Sequence, residues 1–167
     1  ERAMRVLVLS DTHRHLEQMR WAIAQAGQVE YIFHLGDHIT DAAQISKYTQ
    51  AKVVCVKGNC DYSGPAEQEV FLEGHKILLT HGHQHAVKYS LHRLSYFAQE
   101  KEADAVLFGH THIPCTEYAN GRLLYNPGSV GEPRGGKPTF GILLVTRDGI
   151  FPRTAVLQPP APEKDFL

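Results

Sequence analysis

The chain has 167 residues, of which 17 are lysine or arginine and 18 are aspartate or glutamate, giving a net charge of −1. A chain of this length suits one domain, which buries roughly 70% of the surface that the unfolded chain exposes. The near-neutral charge gives no broad reason to expect a nucleic-acid or membrane partner, because such partners usually require a strongly basic face.

The cysteines and the chain ends indicate compartment and domain limits. Cys55, Cys60 and Cys115 are odd in number and lack the spacing of a disulfide framework, which favours a reducing compartment. No apolar run approaches the roughly 20 residues that cross a bilayer, so we expect a cytoplasmic protein. We interpret residues 1–3 as a cloning remnant before Met4, residues 4–157 as one domain, and residues 158–167 as a surface or disordered tail.

The first sixty residues predict a β-α-β-α-β unit. Short β-branched runs without strict alternation indicate strands buried on both faces, at 5–10, 31–35 and 52–56. Apolar residues at three- and four-residue intervals indicate helices at 15–26 and 41–48. Such a unit implies a parallel sheet with right-handed crossovers.

The second half predicts antiparallel pairs around one more helix. A hairpin is expected at 69–72 and 76–80, a helix at 88–102 and a buried strand at 105–108. A further hairpin turns at Asn120 and Gly121, and the closing strands are expected at 140–145 and 150–157.

Metal-ligand side chains follow five of the predicted strands. Taken alone, His110 and His112 could also be solvated imidazoles in a polar turn. However, an apolar strand followed directly by ligand-type side chains recurs at the other strand ends. Because the carboxyl ends of parallel strands share one edge of a sheet, we expect these residues to converge. The full set is Asp11, His13, Asp37, Asn59, His81, His110 and His112.

The chemistry of this set favours two metal ions. Seven oxygen and nitrogen donors are too many for one tetrahedral zinc, and they suit two divalent ions that share a carboxylate. Imidazole, carboxylate and amide ligands together favour manganese, iron, nickel, cobalt or zinc over calcium or magnesium. The positive charge of two such ions would exceed the negative charge of their ligands. The net positive charge would attract an anionic phosphate.

The order of these motifs resembles the calcineurin-like metallophosphoesterases. They are D-x-H at 11–13, G-D at 36–37, G-N at 58–59, H-G-H at 81–83 and G-H-T-H at 109–112. Residues 58–61 (GNCD) and 126–134 (NPGSVGEPR) resemble especially the small YfcE-like phosphodiesterases. This resemblance implies a four-layer α/β/β/α sandwich in which two mixed sheets are flanked by helices.

The resemblance also implies roles for the ligands. We expect both metal ions to be manganese, and the first would be held by Asp11, His13 and His112. The second would be held by Asn59, His81 and His110, with Asp37 bridging the two. A metal-bridging water or hydroxide would then attack phosphorus in line, so that Asp37, Asn59, His81 and His110 serve the catalysis of phosphodiester hydrolysis.

Three further residues are candidates for substrate contact or for orienting the ligands. They are Cys60, His83 and Arg134. His83 also suits a partly exposed turn, and Arg134 also suits a solvated position in its loop. Cys60 departs from the wider superfamily, where many members carry histidine after the metal-binding asparagine. A thiol is a weaker acid than an imidazolium, so we expect a preference for diesters with good leaving groups.

The resemblance leaves a second function open. The retromer subunit of this fold is regarded mainly as a scaffold, so a catalytically weak metal-binding scaffold that docks proteins is the alternative to a hydrolase. The expected partner is a small phosphodiester, and a nuclease finds little support in the neutral composition. Apolar residues on the antiparallel sheet leave a homo-oligomer open.

Overall fold

The computed structural model describes residues 2–161. Within them, ten strands form two mixed sheets, and three α-helices pack against these sheets. Strands β1 to β5 are Met4–Leu9, Tyr31–His34, Lys52–Cys55, Glu67–Leu72 and His75–Thr80. Strands β6 to β10 are Ala105–Leu107, Cys115–Ala119, Arg122–Asn126, Thr139–Thr146 and Gly149–Val156. Helices α1 to α3 are Leu16–Ala26, Ile39–Ile45 and His92–Glu100.

The first sheet is built around β1, in the strand order β10-β9-β1-β2-β3. β1, β2 and β3 run parallel, with Val8 opposite Phe33 and Phe33 opposite Val54. β9 pairs antiparallel with β1, and β10 pairs antiparallel with β9. The predicted β-α-β-α-β unit is therefore confirmed.

The second sheet has the order β4-β5-β6-β8-β7, with β5, β6 and β8 parallel at its centre. Its two hairpins turn at Glu73–Gly74 and Asn120–Gly121, where all four residues have positive φ. Two successive residues in this conformation form the turn that matches the twist of a hairpin. Both hairpin turns lie where the sequence predicts them.

The two sheets pack face to face between helices, which confirms the expected four-layer α/β/β/α sandwich. Successive residues of β1 face opposite sides, so Val6 and Val8 enter the core between the sheets. Leu7 and Leu9 instead pack under α1 and α2. α3 covers the far side of the second sheet through a separate cluster that includes Leu94.

The segment before α3 differs from its prediction. The helix begins at His92 rather than residue 88, and residues 83–85 form a single 3₁₀ turn. Ala86 has a positive φ, and buried Val87 packs so closely against Gly82 that a Cβ there would lie 3.0 Å away. The amides of Tyr89 and Ser90 donate to the Ala86 carbonyl, so residues 86–90 form a separate turn and the α-helix begins only after it.

The ends of the chain are described only in part. Residues 158–161 have no regular structure and are exposed. Residue 1 and residues 162–167 lie outside the described part, so the predictions for the two ends stay predictions. Within residues 2–161, none of the helices has the length and apolarity needed to cross a membrane.

Candidate metal centre

All seven predicted ligands lie at one edge of the sandwich, just beyond the carboxyl ends of parallel strands. Asp11 and Asp37 follow β1 and β2, and Asn59 follows β3 on the first sheet. His81 follows β5 on the second sheet, and the turn with His110 and His112 follows β6. The two sheets therefore contribute ligands from opposite sides of the same edge.

One group of four residues forms a compact cluster. Asp11, His13, Asp37 and His112 each offer a ligand atom, and these atoms lie within 4.8 Å of one another. His112 Nε2 is 3.3 Å from Asp11 Oδ1 and 3.3 Å from His13 Nε2. These residues are the three that the resemblance assigns to the first metal, together with the bridging carboxylate.

A second group converges on His81. Its Nε2 lies 3.1 Å from Asn59 Oδ1 and 3.2 Å from His110 Nδ1. Asp37 Oδ2 lies 3.5 Å from His81 Nε2 and also 3.5 Å from His13 Nε2. One carboxylate oxygen thus faces both groups of donor atoms.

The contacts of Asp11 fit a bound cation. Its Oδ2 accepts hydrogen bonds from Ser10 Oγ at 2.6 Å and from the His110 amide at 3.1 Å. Its Oδ1 is buried and has no hydrogen-bond partner among the described residues, although it faces the imidazoles of His81 and His112. A buried carboxylate oxygen without a partner is costly unless it is paired with a charge. The donors present therefore suit a divalent metal.

Backbone carbonyls orient two of the ligand imidazoles. The carbonyl of Leu35 accepts a hydrogen bond from His81 Nδ1 at 2.7 Å, and the carbonyl of Glu132 accepts one from His112 Nδ1. When the ring is neutral and Nδ1 is the donor, the lone pair of each ring lies on Nε2 and points towards the other ligands. Such outer contacts fix the tautomer of a metal-binding histidine.

Close packing of the turns explains two of the glycines in the motifs. A Cβ at Gly58 would lie 2.1 Å from Asp37 Oδ1, and one at Gly109 would lie 2.0 Å from Ser10 Oγ. The φ of Gly109 is not in the positive range, so a left-handed backbone conformation is not the reason for glycine at this position. The requirement at Gly109 is instead the space that a side chain would fill.

Backbone strain is concentrated in the same turns. Non-glycine residues with φ between 44° and 71° are uncommon, and each costs on the order of 1 kcal/mol or more. Five of the seven predicted ligands adopt this conformation, namely Asp11, His13, Asp37, His110 and His112. The surrounding hydrogen bonds hold these side chains in an arrangement that a relaxed turn would not give.

A buried polar chain missed by the sequence reasoning joins two of the ligand turns. The Gly36 amide donates to His34 Nδ1 at 3.2 Å, and His34 Nε2 lies 3.0 Å from Thr12 Oγ1. Thr12 Oγ1 donates to Asp41 Oδ2 at 2.6 Å, which also accepts the Arg14 amide at 2.9 Å. The signal in the sequence that could have revealed it is a histidine, His34, inside a strand whose other residues are apolar.

The segment 126–134 supports the first group of ligands from the other side. Ser129 Oγ donates to the Asp11 carbonyl at 2.8 Å and accepts the Glu132 amide at 2.8 Å. The Glu132 carboxylate lies 4.0 Å from His13 Nδ1. The sequence marked this segment by resemblance, but it gave no role to Ser129 or Glu132.

The electrostatics of the centre keep both carboxyl groups ionised. Burial raises the pKa of Asp37, but the hydrogen bond and charge of His81 outweigh it and hold that pKa well below its usual range. Burial is likewise outweighed at Asp11, mainly by His112 and His81. Burial and the charge of His81 lower the pKa of His110 to about 4.

The three additional candidates lie around the ligands in different ways. Cys60 is exposed, and its amide donates to Asp37 Oδ1 at 3.0 Å. The ring of His83 is half-buried, with its centroid 5.5 Å from that of His81. Arg134 is exposed, and its amide donates to the His112 carbonyl at 3.2 Å. Their roles in substrate contact stay predictions.

Comparison with known proteins identifies the family. The profile of the calcineurin-like phosphoesterase superfamily domain matches residues 4–148. The chain belongs to this superfamily. It is 36% identical over 149 residues to the probable metallophosphoesterase YsnB of Bacillus subtilis, covering 87% of this chain and 86% of that protein. It is 31% identical over 169 residues to the phosphodiesterase YfcE of Escherichia coli, covering 84% of this chain and 87% of that protein.

Solved structures share the same fold as this calcineurin-like phosphoesterase. An archaeal phosphodiesterase has a TM-score of 0.77 and 28% identity, covering 92% of this chain and all of its own. A Vps29 mutant of Entamoeba histolytica has a TM-score of 0.75 and 21% identity, covering 93% of this chain and all of its own. These comparisons confirm the family and the fold expected from the motifs.

Proposed function

We propose that this calcineurin-like phosphoesterase is a phosphodiesterase that uses two divalent ions, with manganese preferred. The observation that carries the proposal is the position of Asp37 Oδ2, 3.5 Å from both His13 Nε2 and His81 Nε2. A carboxylate oxygen equidistant from two donor groups suits a bridging ligand. The resemblance to YfcE and to the archaeal phosphodiesterase supports a diester substrate.

The chain's own residues would hold the two metal ions at which the reaction takes place. Asp11, His13 and His112 would hold one ion, and Asn59, His81 and His110 the other. Bound ions of this kind supply a nucleophilic hydroxide at neutral pH and stabilise charge on phosphoryl oxygens. The carbonyl of Leu35 keeps the Nε2 lone pair of His81 directed at the centre.

Protonation of the leaving group is the step for which this chain offers the weakest donor. Burial and the charge of Asp37 raise the pKa of the Cys60 thiol, so at neutral pH it carries a proton that it gives up reluctantly. An alkoxide that needs protonation therefore gains little from Cys60. We propose that the preferred substrates are small phosphodiesters whose leaving groups are stable as anions.

The direct test is hydrolysis of bis-p-nitrophenyl phosphate by protein stripped with chelator, with and without added manganese. We expect turnover only with the metal. In His81→Ala, the hydrolytic activity should fall by on the order of a thousandfold or more, because one of the metal-ligand side chains is removed. His92→Ala, on the exposed start of α3, is the matched control and should retain full activity. Absence of turnover with each of several divalent metals, in folded protein, would contradict the proposal.

A second candidate is a metal-binding scaffold that docks protein partners. The likeness to Vps29 motivates it, although at 21% identity that likeness concerns the fold alone. The presence of all seven donor residues at one edge favours the hydrolase. A protein that binds metal at this centre but hydrolyses no diester would favour the scaffold.

A further inference from the structure

An open depression of about 470 Å³ lies beside the candidate metal centre. Val87, Leu91, Phe108 and Ile113 supply its apolar wall. Val87 and Phe108 belong to the buried cluster beneath α3, so this wall is backed by the core. Pockets for small organic molecules have volumes of roughly 300–1,000 Å³ and predominantly apolar linings. The depression therefore has the size and character to hold an aromatic group.

The depression borders the turn that carries two of the predicted metal ligands. Thr111 lines it and stands between the two predicted ligands His110 and His112. Arg134 also lines it, and the Arg134 amide donates to the carbonyl of the predicted ligand His112 at 3.2 Å. A group placed here would therefore be attached to, or next to, the phosphate at the metals.

The charged groups of the depression suit a singly charged anion. Lys88 and Arg134 contribute two positive charges, while Glu117 contributes one negative charge. The sum is one net positive charge, which matches the single negative charge of a phosphodiester. A phosphomonoester carries a second negative charge at neutral pH, which the carboxylate of Glu117 would repel.

We propose that this depression binds an aromatic ester group of a phosphodiester, with Lys88 and Arg134 contacting the phosphate. The inference rests on the proposed function, because it places the phosphate at the metal centre. It adds that selection among diesters depends on the size and apolarity of an ester group. Diesters with an aromatic substituent would then be bound more tightly than those with only small alkyl groups.

The test uses two anions without a cleavable ester bond, diphenylphosphinate and dimethylphosphinate. Their dissociation constants are measured by NMR titration of the zinc-loaded protein, since zinc is diamagnetic. We expect diphenylphosphinate to bind about tenfold or more tightly, because apolar area is buried in the depression. Nuclear Overhauser contacts should join its phenyl protons to the methyl groups of Val87, Leu91 and Ile113.

Variants locate the selectivity in the depression. Leu91→Trp should fill it and bring the two dissociation constants together, while leaving dimethylphosphinate binding unchanged. Tyr96→Ala, which removes an exposed side chain of α3 outside the depression, is the matched control and should preserve the difference. If Leu91→Trp does not fold, the Overhauser contacts in the unaltered protein show whether the phenyl groups lie in the depression.

The outcomes separate this inference from the proposed function. Equal dissociation constants, or phenyl contacts elsewhere on the surface, would overturn the aromatic site even if bis-p-nitrophenyl phosphate is hydrolysed. Selective binding in the depression without any hydrolysis would retain the site and overturn the phosphodiesterase.

Discussion

His34 is fully buried in β2, yet both of its ring nitrogens have polar partners. Because the Gly36 amide donates to Nδ1, the proton of the neutral ring lies on Nε2 and can be donated to Thr12. Thr12 lies between Asp11 and His13, and Gly36 precedes Asp37. His34 therefore links the turns that carry three of the predicted ligands.

The buried imidazole predicts a pH dependence of stability. Burial lowers the pKa of His34 from 6.5 to about 4. The unfolded chain therefore binds a proton between these values while the folded chain does not, so stability falls as the pH decreases through this window. Between pH 7 and pH 5, His34 should reduce the free energy of unfolding by about 2 kcal/mol.

Urea unfolding of the metal-free protein at pH 7 and pH 5 measures this contribution. His34→Gln removes the titrating group, so its free energy of unfolding should change less between the two pH values than that of the unaltered protein. His92→Gln, at an exposed position, should behave like the unaltered protein. The same pH dependence in His34→Gln and the unaltered protein would show that His34 does not make this contribution.

Cys60 predicts which leaving groups the protein handles well. Placing an imidazole at this exposed position next to Asn59 would supply a better proton donor, so Cys60→His should accelerate cleavage of dialkyl diesters by on the order of tenfold or more. Bis-p-nitrophenyl phosphate, whose leaving group needs little protonation, should gain much less. Release of alcohol and of p-nitrophenol measures the two rates, with Cys60→Ala as the control. Equal rates for dialkyl and diaryl esters in the unaltered protein would contradict the leaving-group argument.

The segment 126–134 acts as an element that supports the first group of ligands. A Cβ at Gly131 would lie 2.3 Å from the Thr12 carbonyl oxygen and 2.8 Å from the His15 ring. Gly131→Ala should therefore displace the turn that carries Asp11 and His13, and weaken manganese binding about tenfold or more. Calorimetric titration measures the change.

Gly136→Ala provides a matched control for this substitution. A Cβ at Gly136 would meet nothing within 4 Å among the described residues, so its manganese affinity should not change. If Gly131→Ala and Gly136→Ala bind manganese equally well, the close contact with Thr12 does not position the ligands.

At the level of elements, the periodicity of apolar residues predicted a helix or strand correctly where the local conformational preference and the tertiary packing favoured the same structure. Strands buried on both faces and hairpins with paired positive-φ residues were predicted close to their observed positions. The predicted start of α3 was wrong because the Tyr89 and Ser90 amides close a turn on the Ala86 carbonyl before the helix, a local preference that the helical pattern did not show. Support of the ligands by Ser129 was not predictable, because the two partners lie 118 positions apart in the chain.

At the level of the whole molecule, the resemblance supplied what local patterns could not. The β-α-β-α-β half followed from periodicity and connection rules, but the face-to-face packing of the two sheets was an implication of the family. Exposed apolar side chains, including Phe71 on β4, Tyr118 on β7 and Phe151 on β10, lie on peripheral strands of both sheets. A homo-oligomer through such residues stays a prediction.

The geometry of the whole site predicts a coupled pair of metal ions. Both sheets deliver donors to one edge, and Asp37 Oδ2 faces both donor groups at 3.5 Å. Two manganese ions that share this carboxylate would be magnetically coupled, and Asp37→Asn would weaken that bridge.

Electron paramagnetic resonance during manganese titration of the metal-free protein tests this pair most directly. We expect two ions per chain with a spin-coupled spectrum, and loss of the coupling in Asp37→Asn. A single uncoupled ion per chain at saturation would contradict the two-metal account.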